Sequence, residues 1–247
     1  MLIFLIFIFG LLIGSFLNVC IYRLPQNQSI VTPPSHCMTC STCLKPWDLI
    51  PVISYLFSRG QCRYCNATFS PRYALVELLT AFLFVWCLEV FGLSLVLGKA
   101  LILTSFFIVI TFIDYDHQLI LDKVLLCLSG AGVAINLWTG SVGILDMLIA
   151  SLLGGGLLLF IALVSKGGMG GGDIKFAAAL GLCFGLQSLL LTLLLSFVFG
   201  GIGGVLLLVC KIKSRKDFIP FGPYIALAAL FSLLYGNNMI TWYLGNL

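Results

Sequence analysis

Two aspartates stand at the margins of long apolar runs. Asp114 closes the run Leu101–Ile113, and Asp173 follows the cluster Gly167-Gly168-Met169-Gly170-Gly171-Gly172 and opens the next run. An ionisable side chain at the edge of a lipid-facing helix is costly, so it is read first as functional, and here each acid is the best partner for the other. Two carboxylates brought within a few ångströms in a low-dielectric site cannot both ionise and hold one proton between them near neutrality. Such a pair supplies a base to activate water and an acid for a carbonyl oxygen and a leaving amine, which is peptide hydrolysis without a bound cofactor. The glycines ahead of Asp173, Gly170 and Gly172 among them, leave backbone amides exposed and let an extended chain approach closely. Non-helical backbone at membrane depth is tolerated only against protein or a water-filled cavity, so the break implies a wet cleft. The cluster lacks the Gly-Lys-Ser/Thr ending of a nucleotide loop. Asp116 and Asp122 flank the loop that follows Asp114; capping or solvation is the plainer role for each, yet spacing alone does not separate Asp116 from Asp114.

The second cluster is of cysteines. Cys37-x-x-Cys40 and Cys62-x-x-Cys65 are separated by 21 residues. Two such pairs wrap one tetrahedral Zn²⁺, and four thiolates close its shell, so the metal is structural. Cys43 is a complication, because Cys40-x-x-Cys43 is also a legal pair; it reads as a spare thiol, with exchange for Cys37 or Cys40 left open. His36 reads as a solvated loop residue. The segment has few large apolar side chains, so a metal would supply folding free energy that its own core does not. Glu77, just beyond it, is a candidate to orient it.

The elements that must position these residues follow from composition. The chain is 61% hydrophobic and 9% charged, with mean hydropathy +1.15, against about 25% charged residues in soluble domains. This predicts an all-α polytopic membrane protein of about eight transmembrane helices, near 1–22, 73–95, 98–114, 119–138, 143–165, 174–191, 192–210 and 219–245. The pair after Asp173 is the hardest to divide. Long runs without period-two alternation select helices. The first run reads as a retained helix and not a cleaved signal. The expected organisation is a first helix (1–23), a small cytosolic insert (24–72) that binds zinc through four cysteines, and a membrane-embedded helix bundle (73–247). Twelve of the 13 basic residues fall on one side of this arrangement, and only Lys99 falls on the other. The positive-inside rule then puts the N-terminus outside, and the insert and both acids at the cytoplasmic face. In that reducing compartment persistent disulfides are rare, which favours metal for the cysteines. The one basic run, Lys211–Lys216, directly follows a membrane helix and reads as an anchor on anionic lipid, so no nucleic-acid partner is expected. Gly154–Gly156 and Gly200–Gly204 read as close helix packing, and no convincing internal repeat stands out.

Several motifs occur in a fixed order: Gly14-Ser15-Phe16-Leu17-Asn18, Tyr22-Arg23-Leu24-Pro25, the cysteine pairs, Ile50-Pro51-x-x-Ser54-Tyr55 and Arg72-Tyr73-x-x-Val76-Glu77. Ile113-Asp114-x-Asp116-His117-Gln118-Leu119, Gly170-Gly171-Gly172-Asp173-x-Lys175 and Pro220-Phe221-Gly222-Pro223 complete the set. With these the chain resembles the prepilin peptidases, the type IV leader peptidases of bacteria, over nearly its whole length. The short N-terminus and 247 residues are similar to the compact versions of Gram-positive bacteria. The resemblance implies a membrane aspartyl endopeptidase with Asp114 and Asp173 as catalytic acids, and Gly170, Gly172 and Lys175 in the loop beside them. It implies zinc on Cys37, Cys40, Cys62 and Cys65, and substrates that are membrane-anchored prepilins or pseudopilins, cut at the cytoplasmic side after a glycine. Many members also N-methylate the new N-terminus with S-adenosylmethionine, for which no residue here independently marks a donor pocket. The chain departs from the family in having Leu121-Asp122 for Pro-Asp, no Cys-Pro start to the first cysteine pair, and the extra Cys43.

A transporter coupling ions or protons through the buried acids is the main rival, since broken helices and glycine hinges are also its vocabulary. No duplicated half supports it, and the acids sit at a membrane edge.

Overall fold

The computed structural model describes residues 1–165, 168–211 and 219–245. Lys166, Gly167 and most of the basic run after Lys211 lie outside the described residues, and with them part of the charge pattern used for orientation. The chain forms two compact units, Met1–Leu97 and Gly98–Leu247.

The first unit holds α1 (Leu2–Arg23), the insert with a short α2 (Ile53–Phe57), and α3 (Arg72–Phe91). Small residues let α1 and α3 meet backbone to backbone, as glycines do at membrane-helix contacts. A Cβ at Gly10 would lie 2.6 Å from the Ala81 Cα, and one at Gly14 would lie 2.7 Å from the Glu77 Cα. Phe7 and Phe82 pack edge to face at 5.5 Å beside this seam. Away from it, α1 exposes Phe4, Leu5 and Leu12. An apolar surface of that extent suits lipid and not water.

The second unit comprises α4 (Leu95–His117), α5 (Asp122–Thr139), α6 (Ile144–Val164), α7 (Gly171–Phe184), α8 (Leu186–Val209) and α9 (Gly222–Gly245). Helix α7 is its centre, in contact with α5, α6, α8 and α9. The α6–α7 seam is made of small residues: Gly154 and Gly155 face Ala177 and Ala178, and Gly181 faces the backbone of Ala150 and Ser151. Phe107 of α4 packs on both Phe176 and Phe184 of α7, at 6.4 and 6.3 Å. On the other side Gly200 and Gly203 of α8 make room for Phe221 and for Tyr224 of α9. Both glycine stretches inside apolar runs thus serve packing, although Gly156, Gly201 and Gly204 face open space.

All the described regular elements are helical, apart from two isolated β-bridges in the insert. Among the described residues, six helices are long and apolar enough to cross a membrane: α1, α3, α4, α6, α8 and α9. The predicted division after Asp173 needs correcting. The break falls at Gly185, not between 191 and 192, and leaves α7 with only 14 residues, a rise of about 21 Å. Gly185 has φ +75°, a backbone conformation that glycine adopts without strain. The Asp146 carboxylate accepts the Leu186 amide at 3.2 Å and so caps the new helix. A hydropathy pattern hides this break because both flanks are equally apolar.

Asn136 is fully buried and ties α5 to the end of α7. Its amide nitrogen donates to the Leu182 and Cys183 carbonyls at 3.0 and 3.1 Å, and its oxygen accepts from Lys99 at 2.6 Å and Ser141 at 3.0 Å. The lone outward-assigned lysine of the charge pattern is thus a hydrogen-bonded partner within the bundle.

Candidate active site

Three helix ends of the second unit build the site. Helix α4 stops at His117 because Gln118 enters the left-handed region at φ +52°. Its amide still donates to the Asp114 carbonyl at 2.8 Å. Asp114, in that last turn, is only 5% exposed. Its Oδ2 accepts the Gly222 amide at 3.0 Å, one of the orphan donors at the start of α9. Asp173 is the third residue of α7, in the first turn, where a carboxylate complements the helix dipole. It is 6% exposed, and its amide donates to the Gly170 carbonyl at 3.2 Å. The charge of the Asp114 carboxylate bears on Asp173.

Absent side chains shape the surroundings. A Cβ at Gly222 would sit 2.5 Å from Asp114 Oδ2, and one at Gly170 would sit 3.2 Å from Asp173 Oδ2. A Cβ at Gly172 would meet the Ile120 Cβ at 2.9 Å, and the Ile120 Cδ1 is 3.2 Å from the Gly222 position. Buried Ile120 therefore packs between the α7 and α9 starts, an apolar wall beside both acids. Asp116 and His117 are exposed. Burial and the Gly222 contact thus separate Asp114 from Asp116, which spacing could not do.

Lys175 lies two residues beyond Asp173 in α7, about half a turn round the helix. Its ammonium is 2.8 Å from both carboxylate oxygens of Asp122, and the two side chains are 59% and 63% exposed. Leu121, standing where Pro is common in the family it resembles, has φ −76° and ψ 125°. That is close to the φ a proline would fix, so the turn keeps its shape.

In the insert, Cys37, Cys40, Cys62 and Cys65 bring their sulfurs within 4.8 Å of one another. They sit on two loops with one hydrogen-bond pattern. Cys37 donates to the Thr42 carbonyl and accepts from Ser41; Cys62 donates to Ala67 and accepts from Asn66. Ser41 and Asn66 share φ near +55°, and each loop is closed by a bridge, His36 with Cys43 and Gln61 with Thr68. The offset is 25 residues throughout (Cys37 to Cys62), a structural repeat that the sequence does not betray outside its cysteines. Cys43 occupies the place of Thr68, in the closing bridge, and is no part of the sulfur cluster. Within the cluster the Cys37 thiol is pulled down to about 6, first by the backbone amides of Cys40 and Thr39, whereas Cys65, despite the Ala67 amide, is pushed up to about 12 by burial and its neighbours' sulfurs.

Residues 8–91 match the family model described as Bacterial Peptidase A24 N-terminal domain, and residues 101–205 match the Type IV leader peptidase family. The chain is 37% identical to the "Prepilin leader peptidase/N-methyltransferase" of Aeromonas salmonicida (strain A449), over 98% of its own length and 94% of that protein's. It belongs to the type IV leader peptidase family. The Pseudomonas aeruginosa protein of the same name is 36% identical over 95% of this chain and 91% of the relative. The one from Bacillus subtilis (strain 168) is 34% identical over 97% and 96%. The Aeromonas alignment runs over 277 residues, longer than this chain, whereas the Bacillus alignment runs over 243. This leader peptidase is thus close in length to the Bacillus relative. No solved structure matches.

In this family member the structure groups Asp114, Asp173, Gly170 and Gly172, and sets Lys175 on Asp122. Sequence reasoning missed Gly222 and Ile120 as neighbours of the acids. The signal for Gly222 was present: a glycine followed by Pro223 at a helix start, where proline is favoured in the first turn. Ile120 carried no signal beyond being apolar in a polar loop.

Proposed function

We propose that Asp114 and Asp173 are the catalytic pair of a membrane aspartyl endopeptidase that removes the leader of type IV prepilins or pseudopilins. The cut falls on the cytoplasmic side, after the glycine that precedes the hydrophobic stem. One observation carries the reading: two buried carboxylates at the ends of α4 and α7, with the charge of Asp114 bearing on Asp173 and a helix-start amide on Asp114. One carboxylate takes a proton from water, whose oxygen attacks the carbonyl carbon of the leader glycine. The other gives its proton to the carbonyl oxygen, and collapse of the tetrahedral adduct returns a proton to the leaving amine. Gly170 and Gly172 keep the approach to Asp173 free of side chains. Family membership gives the transporter reading no support, and six apolar spans make this an inner-membrane protein.

The cysteine cluster fits a structural zinc. Zn–S bonds of about 2.3 Å put tetrahedral sulfurs about 3.8 Å apart, and the Cys37 and Cys65 sulfurs are 3.7 Å apart. Cys37, Cys40, Cys62 and Cys65 would hold the ion, which when bound ties the two loops of the insert together. The relatives' name pairs the peptidase with an N-methyltransferase, and we extend that second activity, with S-adenosylmethionine as donor, to this chain.

The test is cleavage of a prepilin by purified protein in detergent. Asp114→Asn and Asp173→Asn should each abolish the cut while leaving helicity and thermal stability intact. Cleavage surviving both substitutions removes the pair from the mechanism.

A further inference from the structure

The insert carries an exposed apolar surface that neither the sulfur cluster nor the proposed catalytic pair uses. The 3₁₀ turn Pro46–Leu49 packs on α2. Along α2, Ser54 and Tyr55 line the cavity that the insert shares with α1 and α3. Ile53, Leu56 and Phe57 occupy the other face, at the i, i+3, i+4 spacing of one helix side. Leu56 is 67% and Phe57 81% exposed, and Ile50 and Trp47, the latter 58% exposed, adjoin them in the turn and its exit. A patch of this kind marks contact with a partner or with lipid.

Its level relative to the bilayer is set by α3. Val52, between the 3₁₀ turn and α2, donates its amide to Glu77 Oε2 at 2.7 Å. It does so at φ +60°, an outlier for a β-branched residue that persists only where the surroundings impose it. Glu77 is five residues beyond Arg72, the first residue of α3, about 7.5 Å along the helix axis. The 20 residues of α3 rise about 30 Å, the thickness of a hydrocarbon core. The bond therefore pins the patch about 7.5 Å inside the end of a membrane span, within the roughly 5 to 10 Å to which interfacial helices bury their apolar face.

The charges around the patch select the lipid. Lys45 and Arg59 are exposed at the two ends of the segment. The one acid between them, Asp48, is already engaged. Its carboxylate accepts from the Tyr64 hydroxyl at 3.0 Å and the Lys45 amide at 3.2 Å, and it pairs with Arg63 at 3.3 Å. An apolar face holding a tryptophan and flanked by basic side chains is the composition of a surface that lies in the membrane interface. We propose that Trp47, Ile50, Ile53, Leu56 and Phe57 dip into the bilayer beside α3, with Lys45 and Arg59 on anionic headgroups. The insert then rests on the membrane instead of standing free in water.

The test uses the full chain in nanodiscs of equimolar phosphatidylcholine and phosphatidylglycerol, with p-benzoylphenylalanine in place of Phe57. After irradiation, mass spectrometry should find the label joined to lipid. Phosphatidylglycerol adducts should outnumber phosphatidylcholine adducts about fivefold, the effect of one basic side chain near an anionic surface. Lys45→Gln combined with Arg59→Gln should bring the two adducts close to parity. A label joined to the chain itself, to a second copy or to nothing overturns the proposal. Equal lipid adducts while Lys45 and Arg59 are present overturn it too, as does a preference that survives their loss. If the labelled chain fails to fold, Trp47 reports instead, its fluorescence separated from the other three tryptophans by subtracting that of Trp47→Phe. Quenching of that signal by lipid brominated on the acyl chain supports docking, and a signal that brominated lipid leaves unchanged overturns it.

Discussion

Gly222→Ala is the most pointed perturbation of the proposed catalytic pair, because it replaces neither acid. The added Cβ would be 2.5 Å from Asp114 Oδ2 and 3.2 Å from Ile120 Cδ1. A carbon and a carboxylate oxygen need more than 3 Å, so Asp114 must retreat by roughly 0.7 Å or more, about the 1 Å misplacement that costs 10²-fold in rate. The same retreat breaks the 3.0 Å bond from the Gly222 amide. A hydrogen bond to a charged group contributes about 1.5 to 3 kcal/mol, equivalent to roughly 10- to 150-fold. The two routes describe one displacement and are not additive; the expected loss is about 100-fold in kcat/KM for prepilin cleavage.

Two other glycines make the prediction a series. A Cβ at Gly170 would be 3.2 Å from Asp173 Oδ2, tight but relieved by a shift of a few tenths of an ångström, whereas one at Gly171 meets nothing within 4 Å. Gly170→Ala should therefore cost several-fold and Gly171→Ala nothing measurable. Alanine is the better helix former by about 1 kcal/mol, which opposes the clash at the α9 start, so melting temperature should move little. Activity of Gly222→Ala within threefold of wild type, or an equal loss in Gly171→Ala, would refute the close contact on Asp114.

Further outcomes follow from other parts of the structure. Elemental analysis should find one zinc per chain; Cys62→Ser should lose it and Cys43→Ser should keep it, and the reverse pattern would make Cys43 a ligand. Asn136→Leu leaves the Leu182 and Cys183 carbonyls and the Lys99 ammonium without their partner. It should destabilise the bundle by about 3 kcal/mol or more, and an unchanged melting temperature counts against that network. A double-mutant cycle on Lys175→Met and Asp122→Asn should give a coupling under about 1 kcal/mol in stability, as exposed ion pairs do. Coupling of several kcal/mol means the pair is desolvated in the working enzyme.

The chain-level architecture was legible because membrane helices write themselves as long apolar runs, and the acids because charge is conspicuous there. The cysteine spacing likewise announced a four-sulfur cluster, which the structure assembles. Helix division was less legible at α7. That helix is enclosed by α5, α6, α8 and α9, so its length is not set by bilayer thickness, and the window of about 20 residues misjudged where it ends. Glu77 reads from the sequence as a candidate to orient the insert, but neither its partner nor those of Asn136 and Asp146 are legible there. The roles of Asn136 and Asp146 depend on backbone groups 40 to 47 positions away, and that of Glu77 on one 25 away, and no local pattern encodes such contacts.

Glycine explains why the acids were easier to find than their surroundings. A side chain declares its chemistry by its type, whereas a glycine in contact with a carboxylate works through an atom it lacks. At Gly222, Gly170 and Gly172 the missing Cβ is the functional feature, since it admits a carboxylate oxygen at two positions and Ile120 at the third. Short motifs that join glycine to aspartate or proline therefore carry more geometric information here than the longer apolar runs. They mark where a helix end must come within hydrogen-bond reach of an acid, and any side chain larger than hydrogen would hold the two apart.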